Sequence, residues 1–129
     1  VDEHQQPIGF VYLIHGEGLL FVLYFAVDAR CRSQGYGSRI IATLEQQYPS
    51  DTIVLDIRAP NPAAADALQR QKRLDFYLRN GFQIAPYQWV EAAERYAVLY
   101  KGDGFHPRAF ETLLAKTTFN LIHPTLQAA

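Results

Sequence analysis

The 129-residue chain contains no methionine and only one cysteine, Cys31. A lone thiol excludes an internal disulfide and fits a reducing compartment, so a cytoplasmic location is expected. A translation product starts with methionine, so a piece ahead of Val1 is expected as well. Neither sign of charge dominates: 12 basic against 13 acidic residues leave a net charge of −1 and a pI near 6.5. Nothing global therefore draws the chain to nucleic acid or to an anionic membrane. The aromatic residues are not interleaved with basic ones, which removes the remaining support for a nucleic-acid surface. The longest apolar run, Leu19 to Val27, falls far short of the roughly 20 residues a membrane span needs. His4, His15, His106 and His123 are scattered, with no pair at metal-ligand spacing, so no metal site is expected.

What is present is enough apolar material, 49% of the residues, for one compact core and too little length for two. No repeat or linker divides the chain, so residues 1–129 are read as a single domain. "PIGFVYLI" (7–14) is strand-like, and "HGEG" (15–18) turns it into "LLFVLYFAV" (19–27), a strand apolar throughout and hence buried on both faces. "SRIIATLEQQY" (38–48) has helical spacing and "TIVLDI" (52–57) is a third strand. After two prolines comes a helix with Leu68, Leu74, Tyr77 and Leu78 as apolar positions, stopped by Asn80-Gly81. "YQWV" and "RYAVLY" flank "EAAE" as a hairpin, and Pro107 opens a closing helix. The order describes a mixed α/β domain with one sheet and flanking helices.

The stretch "VDARCRSQGYGSRII" (27–41) carries the chemistry. A strand feeds a glycine-rich turn, which feeds a helix whose first N–H groups lack partners and whose dipole is positive there. Gly35 and Gly37 allow positive φ and close approach of a ligand. Arg30, Arg32 and Arg39 fall within ten residues, with no acid between Asp28 and Glu45. A diphosphate suits such a loop. The P-loop is excluded because no Gly-Lys-Ser/Thr follows, and the dinucleotide fingerprint fails because Ile40 stands where its third glycine belongs.

The pattern Arg-x-x-Gly-x-Gly, present as "RSQGYG" (32–37) after "FAVD", resembles the GNAT superfamily of acetyl-CoA-dependent N-acyltransferases. "RLDFYLRNGF" (73–82) resembles the same family's Tyr-x-x-x-Gly-Phe segment, through Tyr77, Gly81 and Phe82. The likeness runs from about Pro7 to Lys101. It implies one mostly antiparallel sheet in which a parallel strand pair splays, with coenzyme A in the gap. Phe25, Ala26 and Val27 would pair with pantetheine, and Arg32, Ser33, Gln34, Gly35, Tyr36, Gly37 and Ser38 would hold the diphosphate. Tyr77 would donate a hydrogen bond to the leaving thiolate as an amine attacks the thioester.

Three departures from the family pattern stand out. The apolar strand 19–27 offers no carboxylate where many members carry a glutamate base, and Asp56 on the next strand is its substitute by position. Asp56 alternates with Val54 and Arg58, so an Asp56–Arg58 ion pair is the competing reading. Arg70 stands where the family often has asparagine, beyond an inserted polar segment. The family's opening strand and two helices have no counterpart before Pro7. The resemblance implies an N-acetyltransferase acting on a small-molecule or peptide amine. The alternative is an acyl-CoA-binding module without transferase activity. If the family's opening elements are missing here, the strand at 7–14 is left with an exposed edge, through which a homodimer could form.

Overall fold

The computed structural model describes residues 9–27, 35–117 and 127–128. The elements follow in the order β1 (Gly9–Gly16), β2 (Leu19–Val27), α1 (Tyr36–Gln47), β3 (Thr52–Arg58), α2 (Ala67–Arg79), β4 (Gln83–Glu91), β5 (Glu94–Lys101), α3 (Pro107–Thr117) and β6 (Gln127–Ala128). The first eight match the sequence reading within one to three residues except at β4, which starts four residues before "YQWV". The two-residue strand β6 was not foreseen. The sheet runs β1-β2-β3-β5-β4-β6, antiparallel everywhere except between β2 and β3.

Alternation along the strands sorts the core into two layers. Leu20, Val22, Ile53, Leu55, Ile57, Ala97 and Leu99 face α1 and α2, meeting Ile41, Leu44, Leu74 and Tyr77. Leu19, Phe21, Val54, Ala85 and Val98 face α3, meeting Phe110 and Leu113. The start of β2 is thus buried on both sides, as its unbroken apolar run requires. Phe110, 1% exposed, stands edge-on to Phe21 at 4.9 Å and anchors α3. In α2 only Leu74 and Tyr77 are buried; Leu68 and Leu78, expected on its apolar face, are exposed because they project away from the arc those two define.

The Asn80-Gly81 stop forms as the sequence indicates. Gly81 takes φ 89°, Asn80 Nδ2 donates to the Phe76 carbonyl at 2.8 Å, and Phe82 N–H to that of Tyr77 at 3.1 Å. Pro107 is the first residue of α3, where its missing N–H costs nothing. Pro86 lies where the β4–β5 register breaks, between Ile84 and Gln88.

The position of the parallel pair decides what the fold can do. β2 and β3 are in register from Leu19↔Thr52 to Val22↔Leu55 and no further, although β2 runs on to Val27 and β3 to Arg58. On its other edge β2 stays paired with β1 out to Gly9↔Val27. That pairing steps from Tyr12↔Tyr24 to Leu13↔Val22, so Leu23 is a bulge at the residue where the parallel ladder ends. A bulge bends its strand, and here it turns β2 away from β3. The splayed pair expected from the family likeness is present.

The hairpin of β4 and β5 turns on Ala92 and Ala93, at φ 50° and 65°. Two consecutive positive φ values mark a turn that favours Asn-Gly and strains alanine. Replacing the pair by Ala92→Asn and Ala93→Gly should stabilise the protein by about 1 kcal/mol, read as a raised midpoint in urea unfolding.

Candidate functional site

The N-terminus of α1 leaves backbone donors without partners in the helix. Gly35 sits just before the helix at φ 78° and ψ 5°, no side chain caps it, and no acid occupies the first turn. The first helical bond is Arg39 N–H to the Gly35 carbonyl at 3.2 Å, so the N–H groups of Tyr36, Gly37 and Ser38 precede the ladder and have no acceptor within the helix. The Arg39 guanidinium lies 4.9 Å above the Tyr36 ring, which keeps a cation beside this end of the helix. A Cβ on Gly35 would meet no atom of the described residues within 4 Å, so the constraint they show is the left-handed backbone. Arg32, Ser33 and Gln34, predicted to complete the cradle, lie outside the described residues, as does Cys31.

Beside the cradle is the fork between β2 and β3. Phe25, Ala26 and Val27 pair with Val11, Phe10 and Gly9 of β1 and have no partner on β3. Their backbone groups on that edge have no strand partner among the described residues. Asp56 is the first residue of β3 past the parallel ladder, opposite Val98 of β5. Burial, with the charge of Glu91 as a smaller contribution, pushes its carboxyl from 3.8 to about 6. The predicted Asp56–Arg58 ion pair does not form: Arg58 Nη1 instead lies 3.6 Å from Asp66 Oδ2. Arg58 ends its strand, so its long side chain can reach past the sheet to the segment before α2.

Tyr77 is 7% exposed in the layer that faces α1 and α2, edge-on to Phe82 at 5.4 Å. It makes no hydrogen bond to another described residue through its hydroxyl. Burial raises its pKa, with Arg73 one turn away opposing the shift. Asp56 shares the opposite face, that of Val54 and Val98, so the sheet does not place the two candidate groups side by side. They approach the fork from its two faces. Tyr87 and Trp89 are partly buried against the α3 layer.

Sequence reasoning missed the polar cluster at the start of α2. Arg70, its side chain 11% exposed, bonds Asp66 Oδ1 through Nε at 2.8 Å. Its Nη1 reaches Glu94 Oε1 at 2.8 Å and the Ala59 carbonyl at 3.2 Å. Partial burial would raise the Asp66 carboxyl, but the hydrogen bond and charge of Arg70, with Arg58 beyond, hold it below the usual range. The four-residue spacing of Asp66 and Arg70 signals their pair; nothing local signals Glu94. Among the described residues no three histidine, cysteine or acidic side chains gather as a metal site. No helix among them is long and apolar enough to cross a membrane.

The sequence profile of the acetyltransferase (GNAT) domain matches residues 1–84. No curated protein matches the chain. Among solved structures, a GNAT-family acetyltransferase assignment from Bacteroides thetaiotaomicron superposes with TM-score 0.68 at 22% identity, over 95% of this chain and 72% of that one. PaiA N-acetyltransferase from Thermoplasma acidophilum, solved with coenzyme A, gives 0.56 at 15% identity, over 74% of this chain and 54% of its own. The ribosomal-protein-S18-alanine N-acetyltransferase from Escherichia coli gives 0.56 at 17% identity, over 77% and 64%. This chain thus spans under two thirds of the length of the last two. At these identities the likeness is one of fold.

The Asp56 carboxyl gives the site a pH signature. Its folded pKa of about 6 exceeds the unfolded 3.8, so its contribution to stability is complete below pH 4 and is lost as pH rises through 6. Two units correspond to about 3 kcal/mol. Asp56→Asn should therefore raise the melting temperature at pH 8 and flatten the stability profile between pH 4 and 7, as measured by calorimetry across that range.

Proposed function

This chain belongs to the GNAT acetyltransferase family, and from that premise we propose that it transfers an acetyl group from acetyl-CoA to a primary amine of a small molecule or peptide by direct attack. The observation that carries this is the fork: two strands that part after four residues, with the acid-free N-terminus of α1 beside the opening. Pantetheine is a chain of amides and fits an unpaired strand edge. A pyrophosphate fits N–H groups that lack acceptors.

Acetyl-CoA supplies the thioester. The backbone N–H groups of Tyr36, Gly37 and Ser38, with Arg32, Ser33, Gln34 and Gly35 ahead of them, hold the pyrophosphate. Phe25, Ala26 and Val27 pair with pantetheine and fix the carbonyl near Val27, whose N–H receives the charge that develops on oxygen. Asp56, its carboxyl raised to about 6, takes a proton from the bound ammonium on one face, and the neutral amine so formed attacks the thioester carbonyl. Tyr77, on the other face, donates a hydrogen bond to the departing sulfur. Its pKa, raised by burial, makes full proton transfer unfavourable and leaves the hydrogen bond as its contribution. The carbon–sulfur bond breaks, the proton still carried by the attacking nitrogen passes to the thiolate directly or through water, and an amide and a free thiol leave.

The test is thiol release from acetyl-CoA with a panel of amines. Tyr77→Phe should lower kcat by about 10- to 100-fold with little change in affinity for coenzyme A, the scale of one donor to developing charge. The wild type should show an acidic limb in kcat/KM near pH 6 that Asp56→Asn removes. Gly35→Val should abolish binding of coenzyme A, because a β-branched residue strains the left-handed backbone at φ 78° that sets the cradle, and circular dichroism should show the sheet and helices retained. Tight binding of acetyl-CoA without transfer to any amine would replace this reading by that of a binding module, which the absence of a carboxylate from β2 favours.

A further inference from the structure

A cavity of about 290 Å³ lies over the end of β3, lined by Arg58, Asp66, Gln69, Arg70 and Arg73. Its three guanidiniums meet two carboxylates, Asp66 and Glu94, and Arg70 engages both at 2.8 Å. Arg58 lies 3.6 Å from Asp66, and Arg73 has no carboxylate partner among the described residues. One positive charge is left in excess, and the unpaired arginine is an exposed one whose planar fork matches a carboxylate.

The walls of this cavity are neighbours of both candidate reacting groups. Along α2, Asp66, Gln69, Arg70 and Arg73 recur at steps of three and four residues, and Tyr77 is the next step on that side. The charge of Arg73 reaches the Tyr77 hydroxyl. Along β3, Arg58 follows Asp56 by two residues, on the same face and about 7 Å further on. As the last residue of its strand, it turns past the end of the sheet toward Asp66. One wall thus comes from the face of Tyr77 and the other from the face of Asp56.

We infer that the cavity holds a carboxylate of the acceptor, so that the substrate is an amine that also carries a carboxylate; the inference rests on the acetyl-transfer reading above. In that reading coenzyme A brings its sulfur to Tyr77 and its pyrophosphate to the start of α1, and its pantetheine and acetyl groups are uncharged. An anion beside Tyr77 is therefore not the cofactor's. An ammonium is repelled by the excess positive charge and belongs at Asp56 instead. One carboxylate balances the single charge in excess, whereas a phosphate group carries more than one near neutral pH. Arg73, with Arg58 across the cavity, holds the acid while the amine meets Asp56, and an acceptor fixed at two points is oriented for attack.

The test is thiol release from acetyl-CoA by the whole chain with paired acceptors: α- and ω-amino acids and dipeptides, each as the free acid and as the primary amide. For the wild type, kcat/KM should be about ten-fold higher for the acid of the best pair, the scale of one charge-assisted bond at an exposed site. Arg73→Gln should bring that ratio to about one by raising KM for the acid. Its affinity for coenzyme A should be unchanged in titration calorimetry, which also shows the variant folded. Arg73→Lys, a charge without the fork, should restore part of the ratio. Equal use of acids and amides by the wild type, or a preference that survives in Arg73→Gln, would overturn the inference while leaving acetyl transfer intact. Loss of affinity for coenzyme A in Arg73→Gln would overturn it by giving the cavity to the cofactor. No thiol release with any amine would remove the acetyl-transfer reading and this inference together.

Discussion

The whole arrangement depends on one limit: the parallel ladder between β2 and β3 is four residues long. A strand inside a sheet ordinarily satisfies its N–H and C=O groups on both edges, and a buried group left unpaired costs about 1–3 kcal/mol. Here both strands continue past the ladder and leave such groups facing a gap. The gap persists because each strand is held from outside, β2 by β1 out to Val27 and β3 by β5 out to Arg58. The bulge at Leu23 gives β2 its new direction without breaking its pairing with β1 for more than one residue. A rigid opening lined by unmet amide groups is a socket for another chain of amides, and its cost in the unliganded protein becomes affinity when it is filled.

The same opening explains where charge is placed. At its head stands the N-terminus of α1, with no acid in its first turn and Arg39 beside it. At its base is Asp56, the first residue beyond the ladder, whose carboxyl is driven upward by burial. A carboxylate so placed is a poor choice for stability, since the neighbouring Val54, Leu55 and Ile57 are all apolar and all buried. The reaction proposed above gives that position a use, as a base at the fork. Tyr77 reaches the fork from the other face, within a layer of aromatic and aliphatic side chains that fixes its ring. In the proposed reaction the base and the hydrogen-bond donor would therefore serve the fork from opposite faces.

The order of eight elements was legible because each carried a local signal: the turn at Glu17 and Gly18, the glycine before α1, the stop at Asn80 and Gly81, Pro107 at the start of α3. β6, two residues long, carries no periodicity to read. The turn at Ala92 and Ala93 lacks the glycine that usually announces its backbone, so only the flanking strands betrayed it. The end of the parallel ladder is invisible in "LLFVLYFAV", which is apolar on both sides of Val22; the family likeness supplied it. Asp56 was legible as a carboxylate at the right place on the wrong strand. The fate of Arg58 was not, since an i, i+2 pairing on a strand gave way to Asp66, brought near by the fold of the connection.

Arg70 shows how one departure from a family pattern compels another. The connection from β3 to α2, residues 59–66, contains two prolines and would be poorly tethered by its own backbone. Arg70 binds it at the Ala59 carbonyl and at Asp66, and binds the β4–β5 hairpin at Glu94, with its side chain almost wholly enclosed. The family's frequent asparagine at this position is too short to span those three partners. Once Arg70 is committed to holding the longer connection in place, its charge is spent on Asp66 and Glu94 and is not free for a ligand. Arg73, one turn further along the same helix, is left as the cation that the cavity can offer. The connection, the arginine that pins it and the arginine beside it thus line one cavity over the end of β3.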